Sequence, residues 1–122
     1  MRTTALALFV ATISSQAAAE TIEYVCTFTV SASVEGLEPA ENFKFSLTLD
    51  SLTGDAFMTG NNGVSQVFSH RQGDTVSFLE PLASGAINTT TVIGSGDAVH
   101  SRHVVFGADD LFPSQYYGTC ER

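Results

Sequence analysis

The sequence predicts an all-β domain, a small antiparallel meander of about eight short strands forming a closed or nearly closed barrel. Three observations carry that expectation. Apolar residues recur at every second position through several segments, turn signals rich in Gly, Asn and Asp punctuate the chain, and Cys26 and Cys120 stand near its two ends. No segment offers a sustained helical period.

The N-terminus reads as an export signal. Met1 and Arg2 precede an apolar run over 5–13, broken only by Thr12, and a small-residue exit ends in Ala17-Ala18-Ala19. That run is about half as long as a membrane span requires. Residues 1–19 are therefore expected to be a signal peptide and 20–122 a single β-barrel domain. The mature chain is expected to be periplasmic or secreted, with no membrane insertion.

Over 21–31, Ile22, Tyr24, Cys26, Phe28 and Val30 alternate with Glu23, Thr27 and Thr29, a half-buried strand that turns Cys26 inward. Residues 31–42 read as a loop, because Gly36 and Pro39 discourage regular structure. The clearest strand follows over 42–50, where Phe43, Phe45, Leu47 and Leu49 share one face. A turn over 50–55 leads into a short run at 56–59, and Gly60-Asn61-Asn62-Gly63 joins it to 64–70 as a hairpin. The next turn, 71–74, precedes a strand at 75–80 with Val76 and Phe78 on one face. Residues 81–85 break it, 86–93 is a Thr- and Ile-rich β segment, 94–97 turns, and 98–106 is again β-branched. A loop at 107–113 and a last strand over 115–120 complete the meander. The inward candidates Tyr24, Phe28, Phe43, Phe45, Phe57, Phe68 and Phe78 are bulky, so a filled interior is expected in place of a ligand cup.

An even number of cysteines in an exported chain reads as a disulfide. A Cys26–Cys120 bond would close nearly the whole mature chain, which the chain-entropy model credits with about 4 to 5 kcal/mol. It would also bring the first and last strands within about 7 Å between Cα atoms. That is what a sheet closing on itself needs.

Composition bounds the function. The 122 residues suffice for one domain, and 13 Asp and Glu against 5 Lys and Arg leave a net charge of −8. So few bases remove the electrostatic attraction on which nucleic-acid binding depends. Catalytic sets do not assemble. Ser84, Ser95, Ser101 and Ser114 lie in no nucleophile elbow. His100 and His103 fall on opposite faces of a strand, so a metal site would need His70 to join one of them with a carboxylate such as Glu80 or Asp97. Asn88-Thr89-Thr90 matches a glycosylation sequon, a motif short enough to arise by chance. No metal or cofactor is expected.

Two surfaces suit contact better than catalysis. Glu35, Glu38 and Glu41 project from the 31–42 loop with no nearby base, and either keep that loop solvated or face a cationic partner. Leu111-Phe112-Pro113 with Tyr116 and Tyr117 offers either packing over a barrel end or an interface anchor, since consecutive strand residues cannot both face the core. One tyrosine must point outward.

The Tyr24-Val25-Cys26 strand, the Ser84-Gly85-Ala86 loop, the Gly96-Asp97-Ala98 turn and the terminal Cys120 resemble the periplasmic inhibitors of C-type lysozyme. In that family a Ser-Gly loop and a following lysine-bearing strand enter the lysozyme cleft, which the resemblance carries onto Ser84 and Gly85. No tyrosine follows Ser84-Gly85-Ala86 and no lysine stands near Gly96-Asp97. The sequence thus predicts a non-enzymatic, exported barrel that binds a protein or cell-envelope partner. Lysozyme inhibition and a structural role in the envelope are the alternatives.

Overall fold

The computed structural model describes residues 9–13 and 20–122, so the expected leader and its cleavage junction lie outside the described residues except for 9–13. Eight strands follow one another: β1 (Thr21–Ser33), β2 (Gly36–Asp50), β3 (Ala56–Gly60), β4 (Gly63–Gln72), β5 (Thr75–Pro81), β6 (Ile87–Val92), β7 (Asp97–Phe106) and β8 (Asp110–Glu121). Each pairs antiparallel with the next, and β8 returns to β1 to close the barrel. Closure leaves no unpaired edge around the waist. Among the described residues there is no helix, and so none long and apolar enough to cross a membrane.

The alternation in β1 and β2 determines what lies inside. Their register sets Tyr24 opposite Leu47 and Cys26 opposite Phe45, and these side chains join Phe28, Val76 and Phe78 in one buried cluster. After β2 the Asp50 carboxylate accepts the backbone N–H groups of Leu52 at 2.8 Å and Thr53 at 3.0 Å. Those bonds hold the Asp50 carboxyl below its ordinary range. The turn they shape delivers Ala56 opposite the buried Leu49, which sets the phase of β3 and, through Ala56 and Val67, of β4. Phe57 and Phe68, expected inside, therefore point outward, 41% and 66% exposed. Apolar neighbours at Ala56-Phe57-Met58 and Val67-Phe68 allow either phase, and the turn selects one.

The seam between β1 and β8 is where the chain closes. Cys26 and Cys120 are direct cross-strand partners with Cα atoms 4.0 Å apart and sulfurs bonded at 2.01 Å. Such a bond is characteristic of an oxidising, exported compartment. Beside it, a Cβ on Gly118 would lie 2.6 Å from the Phe28 Cα and collide with the Thr27 carbonyl oxygen. Only glycine admits so close an approach of the two strands.

Immediately past that contact Thr29 bulges out of both ladders. The bulge reverses the alternation. Val30, expected to continue the inward face, is 38% exposed, while Ser31 takes the inner position opposite Tyr116. The segments expected as loops over 31–42 and 107–113 are then mostly strand, with turns confined to 34–35 and 107–109. The proline of each segment sits where one side of the ladder is open: β3 pairs with β2 only over Ser46–Leu49, leaving Pro39 on an edge, and β1 stops at Ser33↔Ser114, leaving Pro113 beyond it. A missing N–H costs nothing on such a side.

Candidate functional site at the open barrel end

The two ends of the barrel differ. At one lie the short turns 51–55, 73–74 and 93–96 with both ends of the barrel chain, and at the other the connections 34–35, 61–62, 82–86 and 107–109. At this second end β7, β8, β1 and β2 keep pairing beyond the limits of β3 and β6, to Phe106↔Asp110 and Ser33↔Gly36. They form a four-stranded wall standing over the mouth.

Within the mouth is a cavity of ≈ 290 Å³. Phe43, Phe45 and His100 make its apolar side, with the Phe45 and His100 rings 5.0 Å apart and Tyr116 stacked behind Phe43 at 4.4 Å. His100 is 3% exposed and its Nδ1 lies 2.7 Å from the Thr90 hydroxyl. Burial lowers its pKa to about 4, and the neighbouring Arg102 charge pushes in the same direction. The ring is neutral at pH 7.

Polar groups occupy the opposite side. The Asn88 amide nitrogen donates to Glu80 Oε1 at 3.1 Å, yet Asn88 Oδ1 is buried with no hydrogen-bond partner and the residue is only 8% exposed. An orphaned buried acceptor costs about 1–3 kcal/mol. Arg102 lies with its guanidinium carbon 6.0 Å from the Phe43 and Tyr116 ring centroids. Lys44 borders the cavity, but it alternates with the inward Phe43 and Phe45 and its exposed side chain lies on the outer face. Arg102 thus brings a positive charge to the mouth of this acidic protein.

The residues singled out from the sequence are distributed around this end. Glu35 is at the tip of the β1–β2 hairpin, Glu38 pairs with Ser31 on the inner side of the wall, and Glu41 falls in the irregular stretch beside the bulge, all three exposed. Asn42 next to it holds a positive φ of 55°. Ser84 and Gly85 form the exposed tip of the β5–β6 connection, where Gly85 takes a φ of 90° and donates its N–H to the Leu82 carbonyl at 3.0 Å. Phe112 and Tyr117 do not meet. They are an odd number of residues apart on β8, so Phe112 faces with the inner row and Tyr117 lies on the outer flank, where its hydroxyl donates to Gln115 Oε1 at 2.8 Å. His70 and His103 are exposed while His100 is buried, and no three His, Cys, Asp or Glu side chains gather among the described residues. Asn88, the asparagine of the sequon, is buried in the mouth and not displayed for modification.

Sequence reading did not group Glu80, Asn88 and Arg102. The signal was present in the inward phase of three strands, Val76-Phe78-Glu80, Asn88-Thr90-Val92 and Ala98-His100-Arg102, each becoming polar toward the same barrel end. No protein-family model, curated protein or solved structure matches the chain.

Proposed function

We propose that the protein is an exported, non-enzymatic binding module of the periplasm or the external medium, and that its open end docks a macromolecular partner with a cationic surface. One observation carries the reading: the projecting wall exposes Val34, Leu37, Phe106 and Leu111 among the carboxylates of Glu35, Glu38, Glu41, Asp109 and Asp110. Exposed apolar side chains supply contact area, and the surrounding charge selects and steers a basic partner. Ser84 and Gly85 stand at the same end and would extend the contact across the mouth. Tyr117, on the outer flank, falls outside it.

A second reading names the partner as a C-type lysozyme. It is favoured by the exposed Ser84-Gly85 tip, part of the segment that carries the resemblance to the lysozyme inhibitors. The test is binding of the mature, oxidised protein to a panel of C-type lysozymes at low and moderate salt, with turnover of a cell-wall substrate followed in parallel. Tight binding with loss of turnover is expected for an inhibitor. Replacing Glu35, Glu38 and Glu41 by Gln should slow association with any basic partner about tenfold at low salt and much less at high salt. An unchanged association rate would remove the acidic rim from the interface.

A further inference from the structure

The mouth holds a chemistry that docking at the rim does not use. Its inward row runs from acid to amide to base across three adjacent strands. Glu80 is the cross-strand partner of Asn88, and the Thr89↔Ser101 register places Asn88 level with Arg102, one rung beyond the last pair of β6 and β7. Glu80 and Asn88 Oδ1 are both acceptors, and the second is buried without a donor. Arg102 supplies positive charge to the same cavity. Phe43, Phe45 and Met58 line it with apolar surface.

We propose that this cavity binds a small zwitterion of the α-amino-acid class, its ammonium donating to Asn88 Oδ1 and Glu80, its carboxylate accepting from Arg102, and its side chain lying against Phe43, Phe45 and Met58. Each part answers an observation. An ammonium has three donors, so it satisfies the orphaned amide oxygen and the carboxylate together. A guanidinium presents its donors in a planar fork that matches a carboxylate. The Cα atoms of Glu80 and Arg102 are about two strand spacings apart, roughly 10 Å, a gap that two inward side chains and an amino-acid backbone span. A simple anion would leave Asn88 Oδ1 unsatisfied and approach Glu80. A simple cation would meet Arg102. A volume of ≈ 290 Å³ admits a ligand of this size. This site does not depend on the rim binding a macromolecule.

The test titrates mature, oxidised protein with L-leucine, L-methionine and L-phenylalanine by calorimetry and by amide chemical shifts. The tightest of these is then compared with its carboxamide, which lacks the carboxylate, and with its deaminated acid, which lacks the ammonium. Saturable binding is expected, with shifts centred on Glu80, Asn88 and Arg102 and about tenfold weaker affinity for each analogue. Arg102→Met should weaken the amino acid about tenfold and leave the carboxamide unaffected. Asn88→Leu removes the orphaned acceptor along with the donor to Glu80, so it should stay folded and show a reduced preference for the ammonium, with Glu80 left as its acceptor. No saturable response to any of the three amino acids, or analogues that bind as tightly as the parent amino acid, would overturn the proposal.

Discussion

At the scale of single residues, His100 shows how burial converts an ordinary side chain into a pH-dependent one. Its ring packs on Phe28, Phe43, Phe45 and Tyr116, and Arg102 is its charged neighbour. Its folded pKa of about 4 lies below the value near 6.5 of the unfolded chain, so unfolding takes up a proton between those limits. The stability contributed by a neutral His100 is present above pH 6.5 and is lost as pH falls toward 4. The loss should be on the order of a few kcal/mol. Urea midpoints of the native chain and His100→Gln, measured across this range, check it: the native midpoint should fall more steeply with acid. Parallel curves would remove His100 as the source of the acid response in this range, since the lowered pKa of Asp50 takes effect only below its ordinary value of 3.8.

At the scale of elements, strand existence was legible in the sequence and strand phase was legible only where apolar and polar residues strictly alternate. Over Ile22 to Phe28 and Phe43 to Leu49 no second phase is available, and the inward faces are as expected. In β3 and β4 adjacent apolar residues leave the phase to a neighbouring strand and to the Asp50 turn, a tertiary cause that no local window contains. The hairpin extensions were hidden by Gly36, Pro39 and Pro113. These are loop signals in general but are compatible with strands that have one open side. The mouth was missed for a related reason: Glu80, Asn88 and Arg102 are far apart in sequence, and closure of the barrel is what makes them one site. A contrast in substitution costs follows from the phases. Phe78→Ala, at a fully buried position packed edge-on against Tyr24 at 5.8 Å, should cost about 3–5 kcal/mol. Phe68→Ala, on the outer face, should stay within about 1 kcal/mol. Denaturant unfolding of the two variants decides, and comparable losses would contradict the assigned phase of β4.

At the scale of the whole molecule, the β1–β8 seam has to join the ends of the chain, and it costs more chain entropy than any hairpin in the meander. Three features converge on it. The disulfide links direct cross-strand partners, Gly118 lets the backbones approach, and the Cys120 N–H donates to the Gly96 carbonyl at 2.7 Å, tying the β6–β7 turn to the same point. Without the covalent link, closure must be supported by backbone bonds and the Phe28 cluster alone. The Cys26→Ser, Cys120→Ser variant should therefore lose about 4–5 kcal/mol, a large share of the roughly 5–15 kcal/mol typical of a domain. The loss should also be uneven, because β2 to β7 are joined by local hairpins that the disulfide does not constrain directly. Amide exchange in the variant should accelerate first at Val25, Thr27 and Thr119 along the seam, before Val76, Thr90 and Val92 in β5 and β6. Uniform acceleration would mean that the barrel opens only as one cooperative unit. In that case the disulfide acts on the unfolded chain and leaves the seam no weaker than the other strand pairs. Seam-first exchange would instead identify β1 and β8, which supply half of the projecting wall, as the part whose order depends on the compartment's redox state.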